Sequence, residues 1–240
     1  MSSTAPEKAS RGIRSYVLRR SHFSAAQRDA YARLMPVYGV PFSEAPLDFA
    51  TLFGRRAPTI LEIGFGMGDT TAEIAADHPD QDYLGIEVHT PGVGALLKLL
   101  EAHGLGNVRV IEHDALAVVE FQIPDGALTG IHVFFPDPWP KARHHKRRLI
   151  QQQFVTNLVR KLRPGGYLHL ATDWPDYAAQ MIEVVDAAPG LHMTATPGPP
   201  DAGDIRYRSG AAARPLTKFE QRGLRLGHPI TDVVRIKSVS

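Results

Sequence analysis

From Thr59 onward, apolar residues fall into short strand-length runs that alternate with stretches of helical period. Thr59–Ile63, Tyr83–Val88, Val108–Ile111, Ile131–Phe135 and Tyr167–Ala171 are predicted strands, rich in β-branched and aromatic side chains. Thr90 is expected to cap a helix with Pro91 at its first position and Gly104 just past its end. Leu149–Leu162 places Phe154, Leu158 and Leu162 four residues apart, a helical stripe stopped by Pro164-Gly165-Gly166. Pro175–Ala187 reads as a further helix, and Leu191–Ala195 and Val233–Val239 as two final strands. The expected architecture is α/β: a doubly wound, mostly parallel seven-stranded sheet with helices on both faces. Upstream, Ser24-Ala25-Ala26-Gln27 is a capping-box pattern opening a short helix that should stop near Pro36. Residues 1–22 are polar, basic and aperiodic and read as a flexible N-terminal arm; residues 23–240 read as one domain.

With 240 residues, 43% hydrophobic and 22% charged, the chain can bury one substantial core. The formal net charge is only +2, so the cations matter through clustering and not through bulk charge. Lys8, Arg11, Arg14, Arg19, Arg20, Arg28 and Arg33 outnumber Glu7 and Asp29 in the first 33 residues. The absence of cysteine excludes disulfides, thiolate metal sites and a cysteine nucleophile, and with it covalent C5 methylation of pyrimidines. The histidines show no metal-ligand spacing, so no metal is expected. No apolar run is long enough to span a bilayer and no signal-peptide core is visible, so a cytoplasmic location without membrane contact is expected.

Leu61-Glu62-Ile63-Gly64-Phe65-Gly66-Met67-Gly68-Asp69 reads as a strand, a glycine turn and a helix start. Gly64, Gly66 and Gly68 allow a tight turn and close approach of backbone to a ligand. A dinucleotide fingerprint would put its third glycine where Asp69 stands, and Glu62 and Asp69 would repel a pyrophosphate. The same charges suit S-adenosylmethionine, which carries an ammonium and a sulfonium and no phosphate. Glu87 follows Glu62 by 25 residues, near the offset at which an acid accepts ribose hydroxyls. His113-Asp114 is placed to meet an adenine edge. Glu62, Glu87, Asp114, Asp137 and Asp173 give five successive strand ends an acid each.

The fourth strand ends in Pro136-Asp137-Pro138-Trp139-Pro140, and Lys141, Arg143, Lys146, Arg147 and Arg148 follow. A carboxylate on a stiff loop thus stands beside cations able to hold a polyanionic backbone. A solvated basic loop would look the same, and Trp139 could pack in the core or stack on a base.

With those residues the chain resembles class I methyltransferases, and more narrowly the bacterial tRNA (guanine-N7)-methyltransferase family. The resembling segments are Leu61–Gly68, Gly85–His89, Phe135–Lys141, Arg143–Arg148, Thr172-Asp173-Trp174, Thr217–Gly223 and, near the N-terminus, Ile13–Arg19. The resemblance implies methyl transfer from S-adenosylmethionine to N7 of a tRNA guanosine at variable-loop position 46. It implies a cofactor site lined by Glu62, Glu87, Asp114 and Asp137, beside the cradle of Gly64, Gly66 and Gly68. Methylating N7 places positive charge on the purine, and Asp137 is the candidate catalytic carboxylate to stabilise it. Lys141, Asp173, Thr217, Lys218, Phe219 and Glu220 would contact substrate, and Arg143, His144, His145, Lys146, Arg147 and Arg148 the RNA. A monomer or homodimer is expected. The rival expectations are a methyltransferase for another RNA base or a small molecule, and an inactive RNA-binding relative.

Overall fold

The first strand, β1 (Thr59–Ile63), is buried along its whole length, which is why its sequence shows no polar alternation. In the computed structural model, which describes Tyr16, residues 22–193 and residues 230–239, six further strands build the sheet. They are β2 (Asp82–Glu87), β3 (Val108–Glu112), β4 (Leu128–Phe134), β5 (Leu162–Thr172), β6 (Leu191–His192) and β7 (Thr231–Lys237). Their spatial order is β3-β2-β1-β4-β5-β7-β6. The first five run parallel, and β7 lies antiparallel to both β5 and β6. This is the expected doubly wound, mostly parallel seven-stranded sheet.

Helices cover both faces. On one side α3 (Asp69–Asp77) and α4 (Thr90–His103) bury Ala72, Ile74, Leu96, Leu97 and Leu100 against Ile60, Tyr83 and Val110. On the other, α6 (Gln152–Lys161) and α7 (Pro175–Asp186) bury Phe154, Leu158, Tyr177 and Met181 against Leu61, Ile131 and Leu168. The first helix, α1 (Ala25–Tyr38), lies on α4, held by Arg33 to Glu101 and by the Tyr31 hydroxyl to Glu112 at 2.6 Å. Contact is close because Gly94 has no side chain: a Cβ there would stand 2.6 Å from the Gln27 carbonyl oxygen. Among the described residues no helix is long and apolar enough to cross a membrane.

The expected elements are present with instructive differences. Ser24 does form a capping box with Gln27. However, α1 runs through Pro36 to Tyr38, because a proline in the last turn breaks only one bond near a helix end that packing already holds. Thr90 is the first helical residue and not the cap, which is His89; the Thr90 hydroxyl instead donates to Glu112 and ties α4 to β3. The fifth strand starts at Leu162, well before Tyr167: Leu162 pairs with Leu128, the register then shifts, and Pro164-Gly165-Gly166 sits within that irregularity. The expected helix from Leu149 accordingly shortens to Gln152–Lys161. The final pair shifts to Leu191–His192 and Thr231–Lys237; Met193 is no longer strand, and the expected continuation over Thr194 and Ala195 lies outside the described residues. The proposed arm does too, apart from Tyr16 and His22. Short elements without strong periodicity went unforeseen: α2 (Phe49–Phe53), α5 (Ala115–Ala117) with a π turn after it, and a 3-10 turn at Ala142–Arg147.

The sheet's tightest packing constraint is at Gly130 of β4. A Cβ there would meet the ring of fully buried Tyr167 at 2.3 Å. Gly130→Ala should therefore destabilise the fold by about 1–3 kcal/mol or more in urea titration. Gly106→Ala, where a Cβ meets nothing within 4 Å, should be neutral or stabilising by up to about 1 kcal/mol. Equal effects at the two sites would show that the Tyr167 contact is not rigid.

Candidate active site

β1 and β4 are neighbours, paired at Ile60–Gly130, Leu61–Ile131 and Glu62–His132, and the strand order reverses between them. Open α/β sheets bind ligands at the carboxyl edge of such a switch point, where two diverging connections leave a crevice. Here those connections are the glycine turn after β1 and the proline loop after β4.

The glycine turn is fixed by backbone conformation and by close packing. Gly64, Gly66 and Gly68 all have positive φ, at 77°, 59° and 78°, a region that side chains with Cβ enter at a cost. Phe65 tucks into space left by Gly85, and the Gly66 carbonyl lies over Gly92 of α4, where a Cβ would approach it to 2.1 Å. The turn leads straight into α3, whose N-cap is Gly68.

The carboxylates at this edge differ in surroundings. Glu62 lies within β1, not past its end, and is 3% exposed. Its Oε2 makes no hydrogen bond among the described residues. Burial pushes its carboxyl up to about 7; the Thr71 hydroxyl draws it down and the Glu87 charge adds to the rise. Glu87, at the end of β2, accepts three backbone N–H bonds: Gly66 at 2.9 Å on Oε2, and Val88 at 2.7 Å and His89 at 3.0 Å on Oε1. Burial nonetheless raises its pKa, against the pull of those donors. Asp114 caps α5 through the Leu116 N–H at 2.9 Å, while His113 lies flat on Phe42 with ring centroids 3.9 Å apart. Asp173 precedes α7 and is partly buried.

Asp137 is presented by a strained loop. Phe135 and Trp139 have φ of 51° and 46°, and each precedes a proline, which already disfavours right-handed helical backbone. The surroundings hold this conformation. The Phe135 N–H donates to Ala171 of β5 at 2.8 Å, and the Arg147 guanidinium lies 3.7 Å from the centroid of the Trp139 ring. His144 meets the same indole edge-on. Lys141, Arg143 and Lys146 are exposed. Arg148 departs from the rest of the run, being 2% exposed and bonded on several sides within the protein. Thr217, Lys218, Phe219 and Glu220 lie outside the described residues. No group of three or more His, Cys, Asp or Glu able to hold a metal occurs among the described residues.

A family model described as "Putative methyltransferase" matches residues 56–233, which takes in both loops and every strand end above. A tRNA (guanine-N(7)-)-methyltransferase of Nitrosomonas eutropha is 56% identical over 226 residues, covering 94% of this chain and 97% of that protein. Its counterparts in Nitrosospira multiformis and Paraburkholderia xenovorans are 57% and 54% identical, over 93% and 96% of this chain and 94% and 86% of their own lengths. The chain belongs to the tRNA (guanine-N7)-methyltransferase family.

The surroundings of this family's site include residues that the sequence did not single out. Asp176, Tyr177 and Gln180 of α7 surround Arg148, and their helical spacing resembles that of any solvated first turn. His132 and His169, on adjacent strands, are both buried; His132 Nε2 lies 2.9 Å from the Tyr167 hydroxyl and His169 Nε2 2.7 Å from Asp232 Oδ1. Their positions in alternating strands could have flagged them, since a buried imidazole needs a partner.

Because Glu87 fastens donors on both of its oxygens, its amide counterpart cannot replace it. Glu87→Gln must turn an NH2 toward either Gly66 or the Val88–His89 pair. Losing such charged hydrogen bonds costs about 1.5–3 kcal/mol. Amide exchange at one of these two places should therefore accelerate by about tenfold or more. Unchanged exchange at all three amides would show that Glu87 does not anchor the turn.

Proposed function

We propose that this protein transfers a methyl group from S-adenosylmethionine to N7 of a guanosine in tRNA, at variable-loop position 46. The observation that carries the reading is the meeting of the glycine turn and the proline loop at the β1–β4 switch point. It joins an unpaired buried carboxylate oxygen, a glycine cradle and a proline-stiffened acid in a chain of this family. The residues fit the cofactor: Glu62 suits a cation in a dry site, whereas a phosphate there would face Glu62 and Asp69. In this reading Glu62, Gly64, Gly66, Gly68, Glu87, Asp114 and Asp137 line the cofactor site. Lys141, Asp173 and residues 217–220 meet the substrate, and the exposed cations of the basic run meet the RNA backbone.

Bound S-adenosylmethionine supplies an electrophilic methyl carbon on a sulfonium. Guanine N7 holds a free in-plane lone pair and no proton, so attack needs neither a general base nor a covalent nucleophile. The cofactor, held by Glu62, Glu87 and the glycine turn, would give up its methyl group and retain the electron pair of the sulfur–carbon bond, and the purine would gain positive charge. Asp137, held between Pro136 and Pro138, is the carboxylate that stabilises that charge. The strained backbone fixes where it points, so its contribution comes from preorganisation and orientation.

Glu62 gives the site a pH dependence whose sign follows from its environment. With its carboxyl near 7 in the free protein, Glu62 is mostly protonated below that pH. For stability, a raised carboxylate pKa is favourable in acid and is lost as pH rises through 7. For binding, a cationic ligand favours the ionised form, so binding releases a proton. Cofactor affinity should rise between about pH 5.5 and 7.5 and level off above, with proton release seen by calorimetry in buffers of different ionisation enthalpy. Glu62→Gln should abolish that slope. A flat wild-type profile would remove Glu62 from the cation site.

Incubating unmodified tRNA with labelled cofactor, followed by nucleoside mass spectrometry, should yield 7-methylguanosine and no other methylated base; a different product overturns the proposal. In single-turnover assays with both substrates saturating, Asp137→Asn should keep the fold and lose about 10²–10³ in rate. A rate near wild type would reduce Asp137 to a structural role.

A further inference from the structure

Arg148 closes the basic run, but it does not behave like its neighbours. Its Nε donates to the Pro138 carbonyl at 2.9 Å, on the far side of Asp137 from β4. One terminal nitrogen donates to Gln180 Oε1 at 2.7 Å, and the other reaches Asp176 Oδ2 and lies 3.1 Å from His145 Nε2. The guanidinium carbon stands 4.8 Å from the ring centroid of buried Tyr177. The same cluster is cross-tied: the Tyr177 hydroxyl accepts the Ile150 N–H at 3.1 Å, and Gln180 donates to the Ile150 carbonyl at 3.0 Å. One planar, permanently charged group thus joins the proline loop, the basic turn and the first turns of α7, the helix that follows Asp173.

A cation that gripped RNA would need its fork turned outward. Here the fork is consumed inside the protein at 2% exposure, while Lys141, Arg143 and Lys146 keep their charge at the surface. Nor is Arg148 needed to neutralise a buried acid, since the side chain of Asp176 is 61% exposed. Among its partners, the Pro138 carbonyl has a different character. It belongs to the residue after Asp137, and it lies between two left-handed non-glycine residues that an unsupported loop would relax.

We propose that Arg148 is a positioning residue for methyl transfer: it fastens the Pro138 carbonyl to α7 and so fixes the Asp137 carboxylate relative to Asp173, without contacting tRNA phosphate. This rests on the reading of the proline loop as the place of methyl transfer. A fork with three defined directions does this work, and an ammonium does not. Arg148→Lys keeps the charge and loses the fork, so it separates the two roles.

In Arg148→Lys the single-turnover rate should fall by about 10–100-fold, since a displacement on the order of 1 Å at a reacting centre costs about that much. The salt slope of tRNA binding should be unchanged, and cofactor titration should still count a full complement of folded sites. Asp176→Asn, a milder change at the surface, should lower the rate about 3–10-fold without weakening tRNA binding. Replacing Lys141, Arg143 and Lys146 with Ala should instead flatten the salt slope by about 0.7–0.9 for each phosphate that is no longer neutralised. Wild-type turnover in Arg148→Lys, or a rate loss accompanied by a flattened slope, overturns the proposal. Hydrogen exchange at Phe135 and His144, whose N–H groups are bonded on either side of Pro138, judges it without any substrate: faster exchange in Arg148→Lys supports the clamp, and unchanged exchange at both overturns it. Wild-type protein that makes no 7-methylguanosine would defeat the functional reading alone, leaving the exchange result to decide the clamp.

Discussion

The parallel pairing of β1 with β4 is the contact on which the rest of the structure depends. Ile60 opposite Gly130 and Glu62 opposite His132 bring together strands separated by a long stretch of chain. The glycine turn and the proline loop leave from their adjacent carboxyl ends. On the other side of β4, Gly130 yields its side-chain space to Tyr167 of β5, which fills the face where a Cβ would stand. Helices on both sides then have a continuous apolar sheet to cover, and burial holds the sheet against the conformational entropy of ordering it.

Along that carboxyl edge, carboxylates of similar sequence context do different physical work. Glu62 is buried with an unpaired oxygen, so its ionisation is costly and a cation is its natural complement. Glu87 spends its acceptor capacity on three backbone N–H groups and shapes the glycine turn. Asp114 caps a helix, and Asp137 is held out on a strained loop. Environment separates them, as it must when one residue type is used repeatedly in one site.

The basic run divides in the same way. Lys141, Arg143 and Lys146 offer charge to solvent, Arg147 covers the Trp139 ring, and Arg148 turns inward. Charge alone does not distinguish these positions. Burial and partner geometry do, because a guanidinium satisfied by a carbonyl, an amide and a carboxylate has few donors left for a phosphate.

The sequence by itself determined the alternation of strands and helices, the three glycines of the turn and the proline-flanked acid. Those signals are local: periodicity follows from the geometry of each element, and glycine and proline restrict their own backbone. Boundaries were less legible where a neighbour decides them. Leu162 extends β5 only because Leu128 is there to pair with it, and Thr90 gives up the cap because Glu112 accepts its hydroxyl. The inward turn of Arg148 and the partners of His132 and His169 were settled by tertiary structure alone. Their partners lie one or more elements away in the chain, and a side chain's desolvation depends on what surrounds it in space.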